Sequence, residues 1–396
     1  MRRRYVAKRA LVAGAAVLIS GFLGYVLLRE YIIKDPRSTT DHLSKAESTA
    51  GEPPSTLEVG SIGYSDALDE QNFEGTEVGG LSALTYDARR DLYYSLVDKE
   101  KGRPARFYTL RVPLDGARVG EPEIIDVTTL RDSEEQPFVG GDFDGEGIAV
   151  SSRGELFVAS EIEPSIRRFS LDGRLVAELP VPQRFVVEPA GGGRANGTFE
   201  SLSLSPDGAS LFTANEERLA PDGRDPEGHK RIRVLRYERG GAGGFEPSEE
   251  FFYLTESRTG VADVAALSES ELLVLEHDNR VFRVSLEGAE DVSNKKSLAA
   301  PGLRPLKKEL LVDPADYAQD GAGGSGARVS STELGNLEGL ALGPRLPDGR
   351  LTLLLQSDDG FYADRVTRIV ALSVGVQDPS LGTEGSRGVK QAARVG

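Results

Sequence analysis

The 396-residue chain contains no cysteine. This absence excludes a disulfide framework, a thiolate metal site, a cysteine nucleophile and a lipoprotein attachment site. Only three histidines occur, His42, His229 and His277, and the sequence has no G-x-S-x-G or H-E-x-x-H motif. A Ser-His-Asp hydrolase and a histidine-rich zinc site are therefore disfavoured. Walker and dinucleotide-binding fingerprints in a strand–turn–helix context are absent as well.

The charge of the chain is strongly asymmetric. The net charge is −16 at pH 7, although five of the first nine residues are basic. A folded part this acidic does not seek nucleic acid and resists nonspecific adhesion to anionic lipid. We therefore expect no nucleic-acid partner, and we expect a monomer.

The N-terminal region has the pattern of a membrane-directing segment. Residues 10–28 form an uncharged apolar run, preceded by the basic cluster. This run is long enough to span a bilayer, and the basic residues would keep the N-terminus in the cytoplasm. We predict a basic cytoplasmic N-terminus at 1–9, a transmembrane or signal-anchor helix at 10–33, and disordered segments at 34–55 and 376–396. A cleaved signal peptide is the alternative. In both cases the folded part is extracytoplasmic: periplasmic, at the cell surface or secreted.

A two-strand unit recurs five times between these two disordered segments. Each copy has two apolar runs separated by turn-forming residues, such as Ser205-Pro206-Asp207-Gly208. Most copies carry a carboxylate at the entrance and another at the exit. Repeats on this scale are typical of propellers and other repetitive folds. The copies are Gly80–Lys99, Glu146–Glu161, Glu200–Glu216, Asp263–Glu276 and Glu338–Asp358.

Further half-exposed strands follow most of these hairpins. Four strands per unit make the blade of a β-propeller. We predict an all-β fold, a five-bladed β-propeller over residues 56–375. A sixth blade is the alternative, since Thr56–Thr76 or the insertion Pro301–Gly335 has room for one.

Both acids of a unit fall at the same end of its hairpin, because the second strand returns to the level at which the first began. With the first strands innermost, nine carboxylates crowd one rim. Like charges held this close raise one another's pKa unless a cation compensates them. The nine acids are Asp98, Glu146, Glu161, Glu200, Glu216, Asp263, Glu276, Glu338 and Asp358.

Calcium is the cation that such a rim would suit, because it prefers several hard oxygen ligands. The alternative is that each acid caps its own blade or pairs with an arginine. We predict that the metal ligands are Glu146, Glu200, Glu216, Asp263, Glu276, Glu338 and Asp358.

A segment just before the third inner strand brings a guanidinium, an amide and a carboxylate to the same rim. Arg194 can make a bidentate contact with a phosphate or carboxylate. The alternative is that Arg194 only neutralises Glu200 or Glu146. The predicted catalytic residues are Arg194, Asn196, Glu200 and His277.

Five segments have a distinctive combined spacing: Gly79–Asp87, Asp144–Val150, Arg194–Gly208, Leu272–Asp278 and Asn336–Leu342. Together they resemble the family called esterase-like activity of phytase. The resemblance implies an exported β-propeller that hydrolyses a phosphoester or carboxylester. His277 departs from the pattern, because the family often has arginine there. A positive contact to an anionic ligand would then be missing or pH-dependent.

The sequence thus leaves two classes of function. In the first, the protein is a membrane-anchored hydrolase of a small anionic ester, with calcium on the rim and Arg194, with Lys99 or His277, orienting the substrate. A lactonase-type propeller with one metal in the central channel is a variant of this class. In the second, the propeller is a binding scaffold without turnover, and the acids are structural.

Overall fold

The computed structural model describes residues 57–114, 118–141, 143–240, 244–256, 258–317 and 333–376, and only the backbone of Val376. Within these ranges, no helix has the length and hydrophobicity needed to cross a bilayer. The predicted membrane segment 10–33 and linker 34–55 lie outside the described residues, as does the tail beyond Val376.

Twenty-two strands and two short 3-10 helices make up the described structure. The first strand is β1 (Leu57–Ser65), which is followed by a small hairpin of β2 (Asn72–Phe73) and β3 (Thr76–Glu77). The 3-10 helices are Gln183–Phe185 and Pro314–Asp316. Together with β1, the remaining strands build five antiparallel sheets, so the fold is all-β.

Four of these sheets are blades formed from four consecutive strands. Blade 1 contains β4 (Leu81–Asp87), β5 (Leu92–Val97), β6 (Arg106–Arg111) and β7 (Glu123–Thr129). Blade 2 contains β8 (Gly145–Val150), β9 (Glu155–Ser160), β10 (Ser165–Ser170) and β11 (Leu175–Glu178). Blade 3 contains β12 (Ser203–Leu204), β13 (Ser210–Ala214), β14 (Arg231–Arg239) and β15 (Phe245–Leu254). Blade 4 contains β16 (Val261–Ala266), β17 (Glu271–Glu276), β18 (Val281–Ser285) and β19 (Lys307–Val312).

The fifth blade joins the two ends of the described chain. It consists of β20 (Asn336–Arg345), β21 (Leu351–Asp358) and β22 (Ile369–Val376), with β1 as its outer strand. Strand β1 runs antiparallel to β22, from the pair Leu57–Val376 to the pair Ser65–Ile369. The prediction of five blades is therefore confirmed. The region 57–77 supplies β1, β2 and β3 rather than a sixth blade.

The inner strands β4, β8, β12, β16 and β20 contact one another in ring order. Their approach is close enough to require glycine at one point. A Cβ on Gly147 would lie 2.6 Å from the carbonyl carbon of Ser201 and 2.8 Å from the nitrogen of Leu202. Gln356 links blades 5 and 1, because its Oε1 accepts from Ser95 Oγ (2.9 Å) and its Nε2 donates to the Leu81 carbonyl (3.1 Å).

An apolar cluster fills each interface between neighbouring blades. Strand β17 shows how the sequence achieves this. Leu272 and Val274 pack towards blade 3, whereas Leu273 and Leu275 pack towards blade 5, because successive side chains point to opposite faces of a strand. Each such buried side chain contributes about 1.5–3 kcal/mol. Continuous apolar runs therefore suit strands that are buried on both faces.

Candidate functional site

Each blade carries one residue near the start of its inner strand that interrupts the pairing with the second strand. In blades 1, 2, 4 and 5 these bulged residues are Ser82, Glu146, Ala262 and Glu338. Glu200 takes the same place in blade 3, just after the bridge between Phe199 and Asn215. A β-bulge re-aims a side chain. We call these five positions the entrance positions.

The residue that ends each hairpin lies beside its entrance position. Its N–H donates to the carbonyl two residues before the bulge, with N···O distances of 2.6–3.1 Å in blades 1–4. In blade 5 the equivalent residue pairs with Asn336 in the strand register. The five exit residues are Asp98, Glu161, Glu216, His277 and Asp358. Entrance and exit side chains thus share one end of the central channel.

Blade 4 differs from the prediction by one residue at both places. Ala262 occupies the entrance position and His277 the exit position, so Asp263 and Glu276 are each displaced by one. A shift of one residue turns a strand side chain to the opposite face. The structure therefore does not place these two acids with the other predicted metal ligands.

Both displaced carboxylates are engaged elsewhere. Asp263 accepts backbone N–H groups of Val264 and Leu340 at 2.8 Å each, which ties blade 4 to blade 5. Glu276 accepts from the Tyr253 hydroxyl at 2.7 Å and from Lys308 Nζ at 3.1 Å. These hydrogen bonds occupy both carboxylates within the fold, and their predicted role as metal ligands stays a prediction.

The spacing between the two ends of a hairpin indicates the exit residue of blade 4 better than the positions of its acids do. His277 follows Ala262 by fifteen positions, as Glu161 follows Glu146, whereas Glu276 follows Asp263 by only thirteen. Aligning hairpins by length rather than by acidic residues would have placed His277 on the rim as an exit residue.

Among the described residues, eight carboxylates converge at this end of the channel, and we call them the acidic rim. Seven were predicted, and the eighth is Asp144, which lies two residues before the entrance position of blade 2 and is fully buried. Members from four blades raise one another's pKa by electrostatic repulsion, so they lie near one another. The members are Asp98, Asp144, Glu146, Glu161, Glu200, Glu216, Glu338 and Asp358.

Two sets of three within the acidic rim are close enough to hold a metal ion. The first acidic group is Asp98, Asp144 and Glu146, and the second acidic group is Glu161, Glu200 and Glu216. In each group, one oxygen per residue lies within 4.8 Å of the others.

Lys99 lies between the two groups. Its Nζ forms an ion pair with Asp144 and lies 3.8 Å from Glu161 Oε1. It also donates to Asn196 Oδ1 at 2.9 Å. Asn196, one of the predicted catalytic residues, thus sits at the edge of the acidic rim and holds the ammonium group in place.

Burial and mutual repulsion keep several rim acids protonated near neutral pH. Burial, a shared hydrogen bond and repulsion from Asp144 raise the pKa of Asp98 to about 8. Burial and the charge of Asp144 raise the pKa of Glu161 to about 8 as well. Burial raises the pKa of Glu146 and of Glu200 well above the usual value, with repulsion from other rim acids adding to it. The pKa of Asp144 is lowered despite burial, because Asp98 and Lys99 donate to it.

The second acidic group contains polar atoms that the protein leaves without partners. Oε2 of Glu161 and Oε2 of Glu200 are buried and accept no hydrogen bond in the described structure. Nε2 of His277 is buried and likewise unpartnered, 3.8 Å from Glu200 Oε1 and 3.6 Å from Glu216 Oε1. Burial and the nearby Lys230 charge lower the pKa of His277 to about 4, so the imidazole is neutral at physiological pH. Such orphaned donors and acceptors fit a bound cation.

Arg194 lies next to this part of the rim together with Arg218, which the sequence reading missed. The two loops that carry them are joined by backbone hydrogen bonds from Ala220 to Gly192 (2.8 Å) and from Glu217 to Gly197 (3.0 Å). Both guanidinium groups are half-buried, and within the described ranges each has a buried Nε without a hydrogen-bond partner. Burial and repulsion from Arg194 lower the pKa of Arg218. Two neighbouring guanidinium groups, each with an Nε that lacks a hydrogen-bond partner, are suited to an oxyanion.

The opposite end of the channel has a different character. A cavity of about 560 Å³ opens there, lined by the inner strands of all five blades and by the hairpin turns. Its walls include Leu84, Ile148, Leu202, Ala265 and Leu340. Among the described acids and histidines, those with a buried side-chain atom lacking a hydrogen-bond partner are Glu161, Glu200 and His277, and all three lie at the acidic rim.

The chain is similar to known proteins in three comparisons. The family model described as "Phytase-like: Esterase-like activity of phytase" matches residues 76–361. An "Uncharacterized secreted protein" of Arthroderma benhamiae is 25% identical over 124 residues, which cover 25% of this chain and 24% of that protein. A protein of unknown function from Bacteroides caccae aligns over 70% of this chain and 72% of its own, with 11% identity and a TM-score of 0.33. That structural likeness is too low to bear on function.

Proposed function

Because the chain belongs to the Phytase-like family, we propose that it is a metal-dependent hydrolase of a small anionic ester. One observation carries the proposal: eight carboxylates from four blades meet at one end of the channel, and two of them keep buried oxygens without hydrogen-bond partners. Burying ionised carboxylates without partners is costly, and a bound cation would compensate them.

The first acidic group would hold calcium. Asp98, Asp144 and Glu146 offer only hard oxygen ligands, which is the chemistry that calcium prefers. A bound divalent cation supplies Lewis-acid polarisation of an ester oxygen. The ammonium group of Lys99, which donates a hydrogen bond to Asn196, would contribute a fixed positive charge at this side of the rim.

Arg194 and Arg218 would hold the anionic group of the substrate. They lie beside the second acidic group, on loops that lead into and out of the blade 3 hairpin. A planar guanidinium binds a phosphate or carboxylate through two parallel hydrogen bonds. Holding that anion fixes the scissile bond relative to the metal, and such positioning accounts for much of the rate enhancement in reactions of this kind.

The folded part would act outside the cytoplasm. The apolar segment after the basic N-terminus supports export or anchoring, and the relative from Arthroderma benhamiae carries the word "secreted" in its name. Calcium is abundant outside the cytoplasm, so a calcium-dependent site is consistent with that location.

The direct test is an activity panel on the full chain purified in detergent. Phosphomonoesters, carboxylesters and lactones would be offered with calcium and after treatment with EDTA. We expect hydrolysis of an anionic ester that requires calcium. Turnover of none of these substrates, combined with tight binding of an anionic ester, would instead support a binding scaffold.

Variants then test the assignment of the anion site. Arg194→Gln and Arg218→Gln should each raise KM at least tenfold with a smaller change in kcat, because they remove binding that ground and transition states share. Arg304→Gln is the matched control, since Arg304 is exposed. Unchanged KM values in both site variants would contradict the assignment.

A further inference from the structure

An imidazole lies beside the second acidic group, and this changes the metal that the group suits. His277 Nε2 lies 3.6 Å from Glu216 Oε1 and 3.8 Å from Glu200 Oε1. These separations are too long for hydrogen bonds, and Nε2 has no hydrogen-bond partner in the described structure. Adjacent ligand atoms around one ion with bonds of about 2.0–2.2 Å lie about 3.0–3.6 Å apart. The nitrogen is thus separated from each of the two oxygens by nearly the distance expected between ligands of one ion.

Two carboxylates of the second acidic group also contain buried oxygens without hydrogen-bond partners. Glu161 is 3% exposed and Glu200 is 7% exposed, and each has an Oε2 without a hydrogen-bond partner among the described residues. Both belong to the set whose oxygens lie within 4.8 Å of one another. The set thus brings two carboxylates with orphaned oxygens together, and the orphaned His277 nitrogen lies 3.6–3.8 Å from an oxygen of two of its members.

The fold holds the imidazole in position from two sides. The backbone N–H of His277 donates to the Gly260 carbonyl at 3.1 Å, and the preceding Glu276 is anchored by Tyr253. The other ring nitrogen, Nδ1, faces Glu338 Oε1 at 3.9 Å. Metal-binding histidines commonly have a carboxylate beyond the second nitrogen, which orients the ring.

We propose that Glu161, Glu200, Glu216 and His277 form a second metal site, specific for a divalent metal of the zinc class. The inference rests on the proposed function for the role of the rim but concerns a different ion at a different set of ligands. Calcium takes oxygen ligands, whereas imidazole together with carboxylates suits zinc and its neighbours. The rim then carries two chemically distinct sites, with calcium in the first acidic group.

Zinc titration of the EDTA-treated full chain in detergent tests the proposal. Wild-type protein should bind Zn²⁺ in the presence of saturating Ca²⁺. His277→Gln should weaken Zn²⁺ binding at least tenfold and leave Ca²⁺ affinity within twofold. His229→Gln is the matched control, because its imidazole already bonds Asp225 Oδ2 at 2.9 Å, and it should bind both ions as wild type does. Equal Zn²⁺ affinity in wild type and His277→Gln would overturn the proposal, as would a parallel loss of both ions.

A measurement on wild-type protein keeps the test decisive if the variant fails to fold. The His277 imidazole resonances, identified as those retained in both His42→Gln and His229→Gln, should shift on addition of Zn²⁺ and stay in place with Ca²⁺. Resonances that ignore Zn²⁺ would refute the site. Ester hydrolysis assayed with calcium alone reports separately on the proposed function, so the two can fail independently.

Discussion

In the absence of divalent metal, the protein should become less stable as the pH rises from 7 to 8. Asp98 and Glu161 each have a pKa of about 8 in the folded chain, against about 4 for these residue types in an unfolded chain. The folded state therefore binds more protons than the unfolded state across this window. Because stability falls with pH wherever the native state holds the additional proton, the free energy of unfolding should decrease.

The size of the effect follows from the number of protons. One additional bound proton corresponds to about 1.4 kcal/mol per pH unit. A carboxyl with a pKa of about 8 is about three-quarters protonated on average between pH 7 and 8, so Asp98 and Glu161 together should lower the free energy of unfolding by about 2 kcal/mol. His277 has a lowered pKa of about 4. Its opposing contribution is largely complete below pH 7, since its unfolded pKa is about 6.5.

Urea unfolding of the EDTA-treated full chain at several pH values provides the assay. Asp98→Asn should reduce the fall by about half, because it removes one of the two titrating groups. Asp126→Asn is the control, since Asp126 is exposed and away from the rim. Saturating calcium should abolish the trend, because ligands must lose their protons to bind a metal and the calcium-bound native state then holds no additional protons on them.

A metal-free wild-type protein whose stability is constant or rises between pH 7 and 8 would refute the reasoning. It would mean that the rim acids are ionised in the folded chain and that burial does not keep them protonated. An equal change of slope in Asp98→Asn and Asp126→Asn would show that the pH dependence arises elsewhere.

Three further substitutions test the site and the fold. Glu200→Gln should weaken the affinity of the rim for metal at least tenfold, as measured by calorimetry. Glu246→Gln, a substitution on the exposed surface of blade 3, should leave that affinity unchanged. Gly147→Ala should cost about 1–3 kcal/mol in urea unfolding, because its Cβ would lie 2.6 Å from Ser201; Gly244→Ala, where the space is open, should change stability by less than about 0.5 kcal/mol. Arg233→Ala should cost about 3–5 kcal/mol by the same assay, because it strands the buried Asp222 and Glu250 that Arg233 binds at 2.7–2.9 Å.

Short-range patterns predicted the parts of this fold that depend on neighbouring residues. Within a hairpin, the turn fixes which strand ends meet, so Glu146 and Glu161 could be brought together from sequence alone. The same logic held for Glu200 with Glu216. The number of blades followed from counting hairpins.

Long-range pairing could not be obtained in this way. Strand β1 pairs with β22 some three hundred residues away, and nothing in its local pattern identifies that partner. Arg218 was missed for the same reason, since it meets Arg194 only through the packing of two loops. Asp144 precedes its entrance position by two residues, and its burial depends on contacts with Asp98 and Lys99 from blade 1.

Blade 4 bears on whether the rim acids serve the fold or a ligand. If carboxylates were required to cap each hairpin, every blade would need them at its entrance and exit positions. Blade 4 has alanine and histidine there, yet His277 N–H still bonds the Gly260 carbonyl at 3.1 Å, as Glu161 N–H bonds the Asp144 carbonyl at 3.0 Å. The backbone geometry thus forms without the acids. The presence of acids at most of the remaining entrance and exit positions, despite pKa values raised by burial and repulsion, is better explained by a cation than by capping.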